Sequence, residues 1–398
     1  MERSKVLIIG GGSAGLYLAS MLNPLKHHIT IVEGQKTLGR KFLVAGKGGF
    51  NLSHSIALKE MVLKYEPSGF IKPFIRKHPA SSLIIYFKNL GIDTYTGSSG
   101  KIFPVRGVKP VEVLNAIKKR LSDNRVNVLT NTRWISTHQT SITATDGTND
   151  SNIPYDVIVY ALGGASWKKT GSDGGWLGAF RQMGLETSAF KASNCGIEIS
   201  WSDHFCETWH GAPVKNITMT CNGNIQQGEI VITRSGMEGP PVYASNGCLR
   251  KQGNDMKLVI NLIPSISSGK INSFRSALKS SKSMNSILKN KLRLSKVKMA
   301  LVKELIDKDA YQNRQSIEET LKSCPIKVTG FRPIDEAIST IGGLELNEVD
   351  ENLMLKKLPG QYVIGEMLNW DAPTGGYLLQ ACYSMAASLA DHLNDNSG

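Results

Sequence analysis

A glycine-rich turn close to the amino terminus constrains the fold of this chain more than any other feature. A short apolar run at residues 5–9 leads into GGGSAG at 10–15, a helical pattern follows, and a second apolar run ends at Glu33. This is the strand, GxGxxG turn, helix, strand and acid of a Rossmann dinucleotide site. Gly10 permits the tight turn, Gly12 lets the backbone approach a pyrophosphate, and Gly15 lets helix and strand pack closely. The sequence therefore predicts dinucleotide binding rather than an ordinary glycine-rich turn.

The residues after the second predicted strand favour FAD over a nicotinamide dinucleotide. Glu33 is expected to accept hydrogen bonds from the ribose hydroxyls of an adenosine and to repel a 2′-phosphate. A second glycine-rich, basic loop follows, with Gly39, Arg40 and Lys41 and then AGKGGFN at 45–51. FAD is long enough to need backbone amides and a cation along its pyrophosphate and ribityl chain. A solvent loop with incidental charge is the alternative interpretation of this segment.

Two further glycine turns follow predicted strands later in the chain. Residues 157–162 read as a buried strand that ends at the glycine pair 163–164. Another short strand at 361–364 precedes an acid-bearing turn at 365–366, and the glycine pair 375–376 opens an apolar helix. A helix N-terminus presents backbone amides and the positive end of its dipole, which suit the negative charge of a reduced flavin ring. These turns are hard to explain by packing alone.

These motifs resemble those of the HI0933-like flavoproteins (also called BaiN-like or RdsA-like), a branch of the NAD(P)/FAD-dependent oxidoreductases. The resemblance covers nearly the whole chain and is closest to a subgroup with GKGG in the second loop. In this subgroup Gly49 and Phe50 stand where most members have Arg and Cys. The segments that carry the resemblance are GGGSAG (10–15), GRKFLVAGKGGFN (39–51), ALGGASWKKTGSDGG (161–175), GEIVITRSGMEGPP (228–241), TIGG (340–343) and GEMLNWDAPTGGYLLQ (365–380).

The resemblance implies an α/β fold with a Rossmann-type FAD domain of the two-dinucleotide superfamily, interrupted by a β-rich, barrel-like domain and a small helical domain. We expect the FAD domain at 1–193 and 340–398, the β-rich domain at 194–264 and 324–339, and the helical insert at 265–323. Short β-branched runs separated by glycine and asparagine turns agree with the β-rich assignment. No second GxGxxG unit is present, so NAD(P)H could act only as a transient electron donor.

The predicted cofactor is FAD, and its predicted binding residues come from several distant segments. They are Gly10, Gly12, Ser13, Ala14, Gly15, Glu33, Gly34, Arg40, Lys41, Gly46, Lys47, Gly48, Val126, Ala161, Gly163, Gly164, Gly365, Glu366, Gly375, Gly376, Tyr377 and Leu378.

Positive charge is concentrated in one segment. The chain has 47 Lys and Arg against 33 Asp and Glu, and residues 270–303 contain ten of the basic residues and no acidic one. Apolar residues recur there at helical intervals, so we expect short amphipathic helices with basic outer faces. Such a face either keeps the protein soluble or binds a polyanion, with RNA the favoured partner. Phe274 is the only aromatic residue in the segment, so stacking on unpaired bases is not predicted from it.

Composition and cysteine spacing restrict the class of protein further. The chain is 41% hydrophobic and 20% charged, which is typical of a globular protein. No apolar run is long enough to span a bilayer, and the start does not resemble a secretory signal. The six cysteines form no CxxC pair, so we expect reduced thiols in a cytoplasmic protein and no metal site. Nothing in the sequence indicates an obligate protein partner or a membrane contact.

Candidate catalytic residues lie in the predicted β-rich domain. Cys195 could give a proton to a reduced carbon, although a small buried cysteine is the ordinary alternative. Arg234 could bind an acidic or carbonyl substrate or form a surface ion pair. His210 and His54 are further candidate acids or bases, whereas Trp370 and Tyr377 are expected to form a wall of the flavin site.

Three functions remain open from the sequence. The first is an FAD-dependent oxidoreductase that reduces a carbon–carbon double bond, which family resemblance associates with uridine of ribosomal RNA. The second is reduction of a small unsaturated acid, which family resemblance also implies. The third is an RNA-binding protein whose FAD is structural. The basic segment favours the first, because a small acid has no need of ten clustered cations.

Overall fold

The computed structural model describes residues 2–44 and 50–396. The chain divides into two compact units, one formed by Met1–Lys191 and Ser339–Gly398 and the other by Ala192–Ile338.

The strands, in chain order, are β1 (Ser4–Ile9), β2 (His27–Val32), β3 (Ser53–His54), β4 (Thr94–Thr96), β5 (Lys101–Pro104), β6 (Asn127–Leu129), β7 (Arg133–Thr137), β8 (Ser141–Thr145), β9 (Asp150–Pro154), β10 (Val157–Tyr160), β11 (Thr187–Ser193), β12 (Ile197–Glu198), β13 (Pro213–Cys221), β14 (Asn224–Thr233), β15 (Gly236–Glu238), β16 (Lys257–Asn261), β17 (Cys324–Lys327), β18 (Gly330–Phe331), β19 (Ser339–Leu344) and β20 (Gln361–Val363).

The α-helices are α1 (Ser13–Met21), α2 (Arg40–Val44), α3 (Leu58–Val62), α4 (Ser68–Lys77), α5 (Ala80–Asn89), α6 (Pro110–Asp123), α7 (Leu177–Gln182), α8 (Asp203–Trp209), α9 (Pro240–Gln252), α10 (Ser268–Leu278), α11 (Met284–Lys291), α12 (Lys296–Leu305), α13 (Lys308–Gln312), α14 (Ile317–Lys322) and α15 (Tyr377–Asp395).

A five-stranded parallel sheet organises the first unit. Its strand order is β20-β10-β1-β2-β6, and every neighbouring pair runs parallel. Residues 6–9 of β1 and all of β10 are continuous apolar runs with little exposure, as expected for strands covered on both faces. The terminal helix α15 packs on α1, so both ends of the chain build this unit. The predicted α/β fold class is therefore confirmed.

Smaller sheets complete the first unit. β3, β5 and β4 form one antiparallel sheet, and β7, β8 and β9 form another between β6 and β10 in the chain. β11 and β19, the strands through which the chain leaves and re-enters this unit, pair with each other.

The second unit is built on a seven-stranded sheet with the order β17-β16-β13-β14-β15-β12-β18. Its neighbouring strands are antiparallel, and exposure alternates along β17 and along part of β14. Ile217 and Ile260 of the sheet share one hydrophobic core with Phe274, Ile287 and Leu301 of the helices. The sequence predicts the strands and the helical insert as two domains, and in the structure they form one compact unit with a common core.

The helices of the basic segment are amphipathic, as predicted, and this determines how they pack. Phe274, Met284, Ile287 and Leu301 are buried, while the intervening lysines of α10, α11 and α12 are largely exposed. Burial of the apolar stripe fixes the helices on the sheet and leaves the charges outside.

The expectation that all six cysteines are reduced is wrong for two of them. Cys221, at the end of β13, forms a disulfide with Cys248 of α9. The two residues are 27 apart in the chain and meet because α9 packs across β13 and β14. Sequence spacing gives no sign of this pairing, since it depends on the helix lying against the sheet. Within 2–44 and 50–396, no helix is both long and apolar enough to cross a membrane.

An ion-pair network joins α10 to α14. Arg275 donates to both carboxylate oxygens of Glu318, at 2.7 and 2.8 Å, and Lys322 Nζ lies 2.7 Å from Glu318 Oε1. These two cations lower the pKa of Glu318 to about 2 from its ordinary 4.5. The network therefore stabilises the folded state when Glu318 is ionised.

We predict that Glu318→Gln lowers the free energy of unfolding at neutral pH by about 1 kcal/mol. A folded-state pKa below the unfolded value means that this contribution is full above about pH 4.5 and is lost as the pH falls towards 2. Urea unfolding followed by tryptophan fluorescence at several pH values measures it. Glu207→Gln, on exposed α8, is the control; equal stability of both variants at pH 7 would contradict the prediction.

Candidate functional site

The candidate site forms at the carboxyl edge of the parallel sheet. Because the strands are parallel, the turns after β1, β2, β10 and β20 meet at one edge. Gly10 N–H donates to Val32 O at 2.8 Å, Ala161 N–H to Ile9 O at 2.8 Å, and Ile364 N–H to Tyr160 O at 3.0 Å. The predicted residues at 10–15, 33–34, 161–164 and 365–366 are thus brought together, although they span most of the chain.

Two glycines of the first turn are required by close backbone contacts. Gly10 has φ of +111°, and a Cβ there would lie 2.4 Å from the carbonyl oxygen of Ala161. A Cβ on Gly15 would lie 2.1 Å from the carbonyl oxygen of Gly10. Glycine at these two positions allows β1, α1 and β10 to pack closely against one another. Gly12 differs, because a Cβ on it would meet no atom of the described residues within 4 Å. The space over Gly12 is therefore open, as the approach of a pyrophosphate to this turn requires.

Glu33 stabilises the glycine turn through hydrogen bonds to backbone amides. Its Oε2 accepts from Gly11 N–H and its Oε1 from Gln35 N–H, both at 2.8 Å. Burial raises the pKa of Glu33, and these two hydrogen bonds act against that rise. Each carboxylate oxygen can accept a further hydrogen bond, so the group still suits a pair of ribose hydroxyls. The sequence predicted a ligand role for Glu33 and gave no sign of its role in the turn.

Two buried donors near the second loop have no acceptor within the described part of the chain. Arg40 donates through Nη2 to Lys169 O at 3.1 Å, yet its Nε has no partner. Asn51 Nδ2 is likewise buried without a partner. A buried nitrogen without an acceptor costs free energy, so such atoms indicate a missing acceptor-rich group. Together with the space over Gly12, they fit the phosphates and polar chain of FAD.

Lys41 and Glu366 hold the second loop to the turn after β20. Lys41 Nζ lies 2.9 Å from Glu366 Oε2 and 2.7 Å from Ser166 Oγ, while Glu366 Oε1 accepts from Thr340 N–H at 3.1 Å. A Cβ on Gly164 would clash with Thr340 Oγ1 and sit 3.2 Å from Glu366. These predicted binding residues therefore contact one another and join four chain segments.

The glycine pair before α15 makes a close turn. Gly375 and Gly376 have φ of +119° and +96°, and a Cβ on Gly376 would lie 2.6 Å from Ser53 Cα. Tyr377 stacks on His54 with ring centroids 5.3 Å apart, and Leu378 follows it in α15. Burial lowers the pKa of His54, which favours its neutral form.

Tyr377 and Trp370 have structural contacts. Tyr65 OH donates to the carbonyl of Tyr377 at 2.9 Å, and Trp370 Nε1 donates to Gly365 O at 2.9 Å. Trp370 is fully buried. These contacts agree with an interpretation of both rings as walls.

Several predicted residues are placed elsewhere or lie outside the described residues. Gly46, Lys47, Gly48 and Gly49 fall in 45–49, which the structure does not describe.

Val126 precedes β6 at the end remote from Glu33, because Leu129 is the β6 residue paired with Val32. The structure therefore does not bring Val126 to the carboxyl edge. Phe50 is buried and packs edge-on against Phe42, with centroids 4.8 Å apart, so its departure from the family pattern fills the core.

The three catalytic candidates do not form one cluster. Cys195 is buried, and its N–H donates to Asn246 Oδ1 at 2.7 Å. Arg234 and His210 are exposed and lie together near Cys206, whose Sγ donates to Arg234 O and whose carbonyl accepts from His210 N–H.

The sheet register separates Cys195 from Arg234. Ile197 pairs with Met237 in β12 and β15, which sets Arg234 opposite Ser200, five residues from Cys195. At about 3.3 Å per residue this is roughly 16 Å.

A second group of polar residues surrounds Cys195, and sequence reasoning missed it. Burial raises the pKa of Tyr243, on α9, to about 12, and the nearby Glu238 and Cys195 act in the same direction. A Cβ on Gly196 would lie 2.9 Å from Arg332 Cγ and 3.0 Å from Glu238 Cγ. Glu238 lies in the GEIVITRSGMEGPP motif, which was the available signal for this group. Tyr243 and Arg332 gave no signal, because both are far from Cys195 in the sequence and come close to it only in the folded unit.

Arg332 is held by two carboxylates. Its guanidinium pairs with Glu336 at 2.7 and 2.9 Å and with Glu198 at 3.1 Å. No group of three or more His, Cys, Asp or Glu side chains is arranged to hold a metal ion within the described ranges.

The sheet order, the glycine turns at its carboxyl edge and the unpaired donors beside them define an α/β protein of the FAD-binding oxidoreductase class. The chain belongs to the HI0933-like family, since the HI0933-like protein Rossmann domain matches residues 4–392.

Curated relatives align over almost the full chain. The ribosomal RNA dihydrouridine synthase of Escherichia coli (strain K12) is 22% identical over 99% of this chain and 98% of its own length. The protein of the same name from Haemophilus influenzae (strain ATCC 51907 / DSM 11121 / KW20 / Rd) is 22% identical over 98% of each.

Solved structures share the fold at lower identity. A 3-ketosteroid-delta4-(5alpha)-dehydrogenase from Rhodococcus jostii RHA1 is 13% identical, with TM-score 0.53, over 98% of this chain and 96% of that one. A flavocytochrome c3 fumarate reductase is 14% identical, with TM-score 0.51, over 100% of this chain and 79% of that one. These likenesses show a common fold.

We predict that Gly12→Ala folds normally and loses FAD. Gly12 has an extended backbone and a Cβ there meets no atom of the described residues, so the melting temperature of the FAD-free protein should not change. The added methyl should occupy the space of the pyrophosphate and weaken FAD binding about tenfold or more. Bound FAD is measured by absorbance and titration. Gly178→Ala is the matched control, because its Cβ also meets nothing. If Gly12→Ala bound FAD with unchanged affinity, the prediction that the pyrophosphate lies over Gly12 would be wrong.

Proposed function

We propose that this protein reduces the carbon–carbon double bond of a uridine in ribosomal RNA, using FAD. The observation that carries the proposal is the alignment, over 98–99% of this chain, with two proteins named ribosomal RNA dihydrouridine synthase. At 22% identity the substrate is carried over as a proposal, while the oxidoreductase class follows from the family.

The residues at the carboxyl edge are suited to hold the cofactor. We propose that the amides of the 10–15 turn face its pyrophosphate, that Glu33 binds the ribose, and that Arg40 and Asn51 supply the donors that lack acceptors. When bound, FAD supplies the hydride that such a reduction requires. NAD(P)H is the proposed transient source of electrons.

Reduction of a double bond also needs a proton, and the chain must position its donor. Hydride adds to one carbon of the bond and a proton adds to the other. We propose Tyr243 for this role because it lies close to Cys195 and Glu238 and carries an O–H that can donate a proton. Cys195, whose charge would influence the same tyrosine, is the second candidate. Exposed Arg234 and His210 are assigned instead to substrate binding.

The charge of the second unit supports a polyanionic substrate. Three of the ten basic residues at 270–303 already have partners within the chain: Arg275 pairs with Glu318, Lys298 donates to two backbone carbonyls, and Lys303 lies over the Tyr311 ring. The others form no ion pair within the residues described. Unpaired surface cations of this density favour RNA by release of its counterions. We place this activity in the cytoplasm, where ribosomal RNA is found.

We predict that ribosomal RNA from cells lacking this gene reoxidises the anaerobically reduced holoprotein, and that RNA from normal cells does not. The physical reason is that the normal RNA already carries the reduced base and cannot accept the hydride. Return of the oxidised flavin absorbance in stopped flow measures the rate. Reoxidation by neither RNA would remove the proposal and favour a small unsaturated acid. A flavin that NAD(P)H and dithionite both fail to reduce would indicate a structural cofactor.

We predict that Tyr243→Phe slows this reoxidation about a hundredfold or more and leaves FAD content unchanged, because it removes the proton and keeps the ring. Tyr95→Phe, on exposed β4, is the control for loss of a phenol. Cys195→Ala is measured in parallel. Full rates for both Tyr243→Phe and Cys195→Ala would exclude this group as the proton source.

A further inference from the structure

A groove opens on the second unit at α8, α11 and α12. Its volume is about 720 Å³, within the range of about 300–1,000 Å³ that is common for ligand sites. Residues from all three helices line it, among them Trp209, Asn285, Lys289, Lys296 and Lys303. The groove therefore joins part of the basic segment to a helix that lies outside that segment.

The groove contains an aromatic ring that the basic segment lacks. Phe274, the ring within 270–303, is fully buried and cannot stack on a ligand. Trp209, at the end of α8, lines the groove and is only half-buried. The packing of α8 on α12 brings this ring to the lysines from some ninety residues away in the chain. The expectation against base stacking concerned residues 270–303 alone, and Trp209 lies outside that segment.

The charge of the groove is positive. Lys289, Lys296 and Lys303 are exposed, and within the described chain neither Lys289 nor Lys296 forms an ion pair. Lys303 Nζ lies 5.2 Å from the centroid of the Tyr311 ring. Glu304 also lines the groove, but Ser202 occupies its carboxylate through its N–H and its hydroxyl.

Amide groups in the groove wall retain hydrogen-bonding capacity. Asn285 Oδ1 accepts from Tyr311 OH at 2.6 Å, which leaves both of its N–H donors. Asn290 donates through Nδ2 to Ser286 Oγ at 3.1 Å, which leaves its oxygen as an acceptor. Together these groups match a nucleotide. The aromatic face suits its base, the cations suit its phosphates, and the free amide groups can form hydrogen bonds with the edge of the base.

We propose that this groove binds an unpaired nucleotide of single-stranded RNA, with the base on Trp209 and the flanking phosphates at Lys289 and Lys296. The proposal deepens the proposed function and rests on it, since it names where the RNA substrate is anchored. The groove is separate from the Cys195 and Tyr243 group, because α8 follows the opposite end of β12. It holds the RNA strand and takes no part in the reduction itself.

The test uses the full-length holoprotein and a fluorescein-labelled single-stranded RNA of about ten nucleotides, with an RNA duplex of the same sequence as comparison. Anisotropy titrations give the dissociation constant at several salt concentrations. We expect Trp209→Ala to weaken single-strand binding about tenfold or more, and Trp209→Tyr to restore most of it. Duplex binding should not depend on Trp209, since a paired base cannot stack on the ring.

The lysines are tested by salt dependence. Lys289→Gln with Lys296→Gln should reduce the slope of log K against log salt by about 1.4, at about 0.7 for each phosphate contact. Lys270→Gln with Lys279→Gln removes the same charge from α10 and its C-terminal cap, outside the groove, and should leave the slope nearly unchanged. Melting temperatures show which variants are folded. If Trp209→Ala is not folded, Trp209→Tyr and the lysine pairs still test the proposal.

Two results would overturn the proposal that the groove binds RNA. One is an equal reduction of the salt slope by both lysine pairs, which would show that the basic residues attract RNA without a defined site. The other is unchanged single-strand affinity in folded Trp209→Ala. Either result leaves the proposed function standing if reduced holoprotein is still reoxidised by the RNA. If the RNA instead binds normally but does not reoxidise the reduced holoprotein, the proposed function is wrong and the proposal for the groove still stands.

Discussion

The contact between the glycine turn after β1 and the carbonyl of Ala161 is the constraint on which the first unit depends. Gly10 can lie against that carbonyl, and Gly15 against the carbonyl of Gly10, only because neither has a Cβ. This contact sets α1 close to β1 and β10, so that the helix begins at the sheet edge. The amide-rich turn, the acid after β2 and the turns after β10 and β20 take their places from it. Lys41 and Glu366 then tie the second loop to the same edge.

The second unit is governed by burial of apolar helix faces on one sheet. That burial fixes which cations reach the surface. Lys298 shows the opposite outcome: it donates to Asn216 O and Leu262 O, and burial lowers its pKa to about 8. Arg275 is used to join α10 and α14. The charge that remains available is therefore smaller and more localised than the composition of the segment indicates, and part of it lines a groove that also contains Trp209.

The sequence predicted the parallel sheet and the glycine turns well, because those features are local. Strand, turn and helix signals lie within about ten residues of one another, and a glycine with positive φ is marked by its own identity. Predictions that needed distant contacts fared differently. Cys221 and Cys248 form a disulfide although nothing in their spacing indicates it. The catalytic candidates Cys195 and Arg234 lie at opposite ends of a strand pair, and Tyr243 was found only beside Cys195 in the folded unit.

The sequence by itself determined the Rossmann-type class, the glycine turns that follow its strands and the presence of a basic helical segment. These follow from backbone sterics and hydrophobic periodicity, which act over short stretches of chain. Only the tertiary structure decided which donors are left without acceptors, which cations are consumed by internal partners, and which aromatic ring meets the remaining lysines. Those outcomes depend on the packing of helices on sheets, where residues far apart in the chain compete for the same neighbours.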